Sequence, residues 1–205
     1  MVRKKNPQQT RQQILEVTAD LIHKHGYKGL RVDEVVEKTG LTKGAIYHHF
    51  PNKQALGYAV VDELFHRKFL EHLNALKTIS HNPLDIIIRS FEPPEGSMCE
   101  ADLEVGCPLT NLGQEMSYED EGFRIRINSI FDNWSNLVAD LLQQGIEQGS
   151  VKSDIDPLKT ARFLVSSFQG IQCSSKCTKD MQRYSDNISY LVSVVQDLAA
   201  EEVIA

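Results

Sequence analysis

LTKGAIYHHFPNKQAL, residues 41–56, puts a glycine, a tyrosine and two adjacent histidines on one short stretch and then breaks it with Pro51. Thr42 is placed as the N-cap of a helix from Lys43 to about His49. Pro51 disfavours the α conformation at Phe50, and Asn52 caps a further helix that opens with Lys53. Helical spacing turns Leu41, Ala45, Ile46 and Phe50 toward a core and leaves Lys43, Gly44, Tyr47 and His48 on the other side. Gly44 weakens a helix by about 1 kcal/mol relative to alanine, which close approach to another surface would explain. Tyr47 offers a flat ring and a hydroxyl, suited to a sugar-phosphate backbone, and Lys43, His48 and His49 add donors. At Lys53, free backbone N–H groups and a positive helix end coincide with an ammonium, an anion site. Each feature alone is ordinary surface. In this order they read as a helix that enters the major groove of DNA, followed by a phosphate clamp.

Upstream, residues 1–9 are polar and basic and read as an arm. From Thr10, Ile14, Val17 and Leu21 fall three and four apart, with Leu15, Ala19 and Ile22 beside them, one face of a helix that Gly26 ends. A second helix, Val32 to Thr39, is closed by Gly40 in the left-handed conformation. Two short helices joined by a glycine-containing turn describe a helix-turn-helix. Charge supports this division. The chain carries a net −6, yet through Lys53 it holds ten basic residues against five acidic, so a basic head stands on an acidic body and only the head suits a polyanion.

Downstream, Leu56, Val60, Leu64, Phe69, Leu73 and Leu76 keep helical spacing up to the Ser-His-Asn-Pro break at 80–83. The pattern then predicts a short helix over 84–91, a loop over 92–106, helices at about 109–117 and 119–148, a helix from the Asp156-Pro157 start to about Ser175, and a last one from about Asp180 to Glu201. No strand alternation or internal repeat is seen. The expected fold is all-α, with a three-helix helix-turn-helix DNA-binding domain over 1–53 and a larger helical effector-binding and dimerisation domain over 54–205.

No run approaches the length a membrane span needs, and a cytoplasmic protein is expected. Cys99, Cys107, Cys173 and Cys177 lack the density of a disulfide scaffold and are expected to be reduced thiols. Cys173 and Cys177 could share a helix face, but no second pair stands at ligand spacing, so no metal is expected. No nucleophile elbow, phosphate-binding glycine loop or metal motif is present, and the seven histidines pair with no obvious carboxylate or cysteine, so neither an enzyme nor a cofactor is expected.

GYKGLRVDEVVEKTGLTKGAIYHHFPNKQAL, residues 26–56, resembles the N-terminal domain of the TetR family of bacterial repressors. The resemblance implies a homodimer in which Thr42, Lys43, Ala45, Tyr47 and His48 meet double-stranded operator DNA and Lys53 holds a phosphate. Arg31 stands where the family usually caps the second helix with serine or threonine. Asp33 is the candidate substitute cap, and Arg31 is then free to reach a phosphate. The last two helices resemble the family's dimer interface, with Leu164, Phe168, Ile171, Leu191, Val195 and Leu198 as candidate contacts, although such stripes also pack inside one subunit. Phe123, Phe131, Trp134 and Phe168 are candidate walls of a small-molecule pocket or plain core. GCPLTNLGQEM, residues 106–116, resembles a segment of one branch whose members respond to electrophiles or oxidants, with Cys107 either a sensing thiol or a buried structural side chain.

The reading is a sequence-specific DNA-binding regulator, a repressor released by a small-molecule or thiol-reactive signal. The competing reading is a helical interaction module that uses its basic head on an acidic partner protein, without preference among DNA sequences.

Overall fold

The computed structural model of the chain describes residues 6–92 and 99–200, and only the backbone of Leu73, Glu100 and Ala101. The arm residues Arg3, Lys4 and Lys5, the Pro-rich part of the loop at 93–98 and Glu201 lie outside the described residues. The described residues are helical, with one isolated bridge between Val151 and Ala199 in place of any strand. No helix among them is long and apolar enough to cross a membrane.

Two compact units divide the chain, one of Met1–Phe69 with Pro108–Ile127, the other of Leu70–Cys107 with Asn128–Ala205. In the first, α1 (Pro7–Gly29) starts at Asn6, whose side chain accepts the Gln8 N–H. The expected arm therefore yields its last residues to the helix, because Pro7 is well suited to the first helical position. Ile14, Leu15, Leu21 and Ile22 form the buried stripe of α1. Gly26, at φ 73 and ψ 168, breaks the helix, and one further turn follows before the chain leaves. α2 (Val32–Thr39) ends at left-handed Gly40, and α3 (Lys43–His49) and α4 (Lys53–Ala59) start at Thr42 and Asn52 as the caps predict.

The long fourth helix expected from the spacing is not uniform. A π-helical stretch, Val60–Phe65, separates α4 from α5 (His66–Ile79). Its wider turn lets the consecutive Val60 and Val61 both be fully buried along with Leu64. α8 (Pro108–Met116) packs on α1 in the same unit. The start of α9 (Glu121–Glu147) adds Phe123 and Ile127, 0% and 2% exposed. Gly57 lets the rings come close, since a Cβ there would stand 2.6 Å from Tyr27 and 2.7 Å from Phe123.

In the second unit α6 (Pro83–Phe91) is capped by Asn82. α7 (Glu100–Val105) occupies part of the expected loop, its first turn closed by Asp102, which accepts the Cys99 N–H. α10 (Pro157–Thr178) starts at the Asp156 cap and packs on α7 and on α11 (Met181–Gln196), while α11 packs on α6. The last helix stops before the expected end, because the chain turns back after Asp197. The Lys152 N–H donates to the Leu198 carbonyl at 2.9 Å and the Ala200 N–H to Ser150 at 3.1 Å, bonds a continuing helix could not make.

Candidate nucleic-acid interface

α3 is held from behind and open in front. Ile46 and Phe50 are 1% and 2% exposed, and the Arg11 guanidinium lies 4.6 Å above the Phe50 ring. Thr42 Oγ1 accepts the Ala45 N–H at 3.1 Å, fixing the start of the helix. On the outer side Thr42, Lys43, Gly44, Tyr47 and His48 are exposed, while Ala45 and His49 are half-buried. A Cβ on Gly44 would meet nothing closer than 4.0 Å, so no packing among the described residues demands the glycine.

Lys43 donates to Asp33 Oδ1 at 2.9 Å. This bond holds the Asp33 carboxyl below its ordinary range and the Lys43 ammonium above its own. Asp33 is thus drawn across the turn toward α3 and does not cap α2: Arg31 is the N-cap residue, with no side-chain bond to the helix start, and its side chain is exposed. His49 is pushed toward the neutral form by burial, then by the charges of His48 and Arg11. Lys53 lies 4.8 Å above the Tyr27 ring and donates to the Lys28 carbonyl at 3.4 Å; burial lowers its pKa. Its ammonium is therefore held at the start of α4, where Asn52 Oδ1 accepts the Ala55 N–H at 2.7 Å.

Sequence reasoning missed the groups that brace this head. Glu115 accepts the Tyr27 and Lys28 N–H groups, each at 2.7 Å, one on each carboxylate oxygen, just past the Gly26 break. Lys28 also pairs with Glu119 at 3.0 Å. Asp120 accepts from the Tyr58 hydroxyl at 2.6 Å and the Gln54 amide at 2.7 Å, and Arg126 lies 4.0 Å above the Tyr58 ring. The Tyr58 hydrogen bond depresses the Asp120 pKa most, while burial raises that of Tyr27 to about 12. Partners so far apart in the chain leave no periodic signal; only the glycine at 26 hinted at a special backbone.

The body residues separate in the structure. Phe123 packs against Tyr27 and Tyr58, at centroid distances of 4.6 and 4.9 Å, and so belongs to the first unit and not to a pocket wall with Trp134. Trp134, Phe168 and Phe91 pack on one another at 5.3–5.7 Å, and Phe131 is half-buried. Cys107 is half-buried ahead of α8, close enough to Tyr184 to act on its ionisation, which burial chiefly opposes. Leu164, Leu191 and Val195 are at most 4% exposed within the subunit, and Phe168, Ile171 and Leu198 are half-buried. The large side chains that α10 and α11 leave outside are Phe163 and Tyr190, 62% and 73% exposed. Among the described residues no group of three metal-ligating side chains converges.

Residues 14–60 match the model of the bacterial regulatory proteins of the tetR family, and residues 93–191 match that of the tetracyclin repressor-like C-terminal domain. The chain belongs to the TetR family. An HTH-type transcriptional regulator of Lactococcus lactis subsp. lactis is 27% identical over 91% of this chain and 93% of its own length. The HTH-type transcriptional repressor DhaR of Mycobacterium sp. (strain GP1) is 28% identical over 78% of this chain and 79% of its own. The crystal structure of Escherichia coli NemR in its reduced form superposes with a TM-score of 0.81, at 20% identity, over 95% of this chain and all of that one. This TetR-family chain is a DNA-binding transcriptional regulator.

Proposed function

We propose that this TetR-family chain is a dimeric repressor that reads a near-palindromic operator with α3 and leaves it when an effector acts on the second unit. The observation that carries the reading is α3 itself, with Ile46 and Phe50 buried behind it and Thr42, Lys43, Gly44, Tyr47 and His48 exposed together in front. Tyr47 and Lys43 take backbone phosphates, Thr42, Ala45 and His48 approach bases, and Arg31, His49 and Lys53 flank them with further donors. As a reader of bacterial DNA it acts in the cytoplasm. The basic residues through Lys53 form the DNA-binding domain, and the remainder holds effector and partner.

One helix-turn-helix binds weakly, and two recognition helices roughly 34–36 Å apart match successive major grooves. Because Leu164, Leu191 and Val195 are spent on the subunit's own core, the dimer face is the outer side of α10 and α11, through Phe163 and Tyr190, with Ile171 and Leu198 at its margin. The effector is a small molecule at the Phe131, Trp134 and Phe168 ring cluster, or a thiol-reactive compound at Cys107. The Gly-Cys-Pro-Leu-Thr-Asn-Leu segment at 106–112 supports the second, and unchanged DNA release by electrophiles in a Cys107→Ser protein would remove it. An effector must bind the DNA-released state better, so that it and DNA weaken one another reciprocally.

The test is a fluorescence-anisotropy titration of the reduced protein with DNA from upstream of its own gene and with scrambled DNA. Preference for the native fragment, with affinity falling about 10³–10⁵-fold between roughly 50 and 200 mM salt, is expected if ~6–10 phosphates are neutralised. Equal affinity for both DNAs would refute specific reading.

A further inference from the structure

A cavity of about 390 Å³ is lined by residues of the first unit alone. Its apolar surface comes from Leu64 and Phe65 on the π-helical stretch and from Pro108 and Leu109 at the start of α8. Its polar wall is one face of α1, where Glu16, Asp20 and His23 stand three and four residues apart. The volume falls within the range of small-molecule sites, roughly 300–1,000 Å³, and an apolar floor with a few convergent polar groups is their usual make-up.

The two carboxylates are not equivalent. Both Asp20 oxygens are met by Lys24, at 2.9 and 3.1 Å. Among the described residues Glu16 receives only the neutral Gln12 amide, at 2.8 Å on Oε1. Lys68 reaches the cavity from an exposed position on α5, where its ammonium can remain in water while its stem covers apolar surface. Of the two carboxylates, Glu16 is the one that no cation pairs with among the described residues.

We propose that this cavity binds a small organic cation, an amine on an apolar body, with the ammonium at Glu16 and the body on Leu64, Phe65 and Leu109. A carboxylate of the same shape would face Glu16 and Asp20 together. A guest here also presses on both α1 and α8, the helices that Glu115 joins at Tyr27 and Lys28. The use of the cavity as a second effector site rests on the operator reading above; the binding itself does not.

The experiment therefore uses the full-length protein without DNA. Benzylammonium, benzyl alcohol and benzoate are titrated at neutral pH while the leucine methyl signals of Leu64 and Leu109 are followed by NMR, assigned by Leu64→Met and Leu109→Met. Benzylammonium is expected to shift both signals saturably and more tightly than benzyl alcohol, with benzoate weakest. Glu16→Gln is expected to weaken benzylammonium about threefold to fivefold, as loss of one partly exposed ion pair does, and to leave benzyl alcohol unchanged. Glu16 is exposed on α1, and an unchanged spectrum elsewhere reports that this variant is folded. Unmoved methyl signals with all three probes, equal affinity for all three, or an unaltered benzylammonium affinity in Glu16→Gln would each overturn the proposal.

Discussion

Replacing Glu115 by alanine removes both acceptors from the Tyr27 and Lys28 N–H groups. A hydrogen bond to a charged group is worth roughly 1.5–3 kcal/mol, and the released amides, being partly exposed, recover water, so the expected cost is about 2–3 kcal/mol in total. For a chain of this size that is a fall of roughly 4–12 °C in the melting temperature of the first unit. Gly26→Ala is expected to be costly for two separable reasons. Its φ of 73 and ψ of 168 lie in a region essentially reserved for glycine, about 1–3 kcal/mol for any other residue. The new Cβ would also stand 2.9–3.1 Å from the Glu115 carboxylate. Only the second cost disappears once Glu115 is alanine, so the double variant must be less damaged than the sum of the singles, by about 0.5 kcal/mol or more. Urea unfolding gives the four stabilities, and amide hydrogen exchange at Tyr27 and Lys28 locates the effect. Additivity within about 0.3 kcal/mol, or protection of those two amides unchanged in Glu115→Ala, would refute the argument.

Two further outcomes follow from described contacts. The Asp120 carboxyl, held below its ordinary 3.8 chiefly by the Tyr58 hydroxyl, stabilises the fold above that ordinary value and loses the contribution as pH falls through the depressed one; an NMR titration should show its midpoint rising toward 3.8 in Tyr58→Phe, and an unmoved midpoint refutes the cause. Phe163→Glu combined with Tyr190→Glu should convert a dimer to monomer in sedimentation while helicity is kept, because both side chains lie outside the subunit's own core; persistence of the dimer moves the interface elsewhere.

What was legible in the chain was local. Gly40, Thr42, Asn52 and Asp156 act within a few residues of themselves, and each terminates or starts a helix where the sequence places it. The outward set on α3 was equally readable, because 3.6-residue periodicity alone decides which side chains oppose Ile46 and Phe50. The π-helical stretch was hidden, since Val60, Val61 and Leu64 fit an ordinary apolar stripe. So was the placement of Phe123: spacing puts it on the same helix as Trp134 and says nothing of which unit each end of that helix serves. Spacing alone left Leu164, Leu191 and Val195 equally suited to a partner or to the subunit's own core, as periodicity finds an apolar face and leaves open what covers it. Glu115 and Asp120 had no signature, because a carboxylate that meets backbone amides far away in the chain looks like any surface acid.

The first unit is written in two pieces, ending at Phe69 and resuming at Pro108. During synthesis, at about 5–20 residues per second, the N-terminal piece emerges first and must wait for the intervening stretch to be made before Glu115, Asp120 and Phe123 arrive to brace it. The nascent head therefore stays incomplete until the ribosome has passed Ile127. A fragment cut shortly after α4 would keep every group on α3 and lack the carboxylates that hold Tyr27, Lys28 and Tyr58 in place.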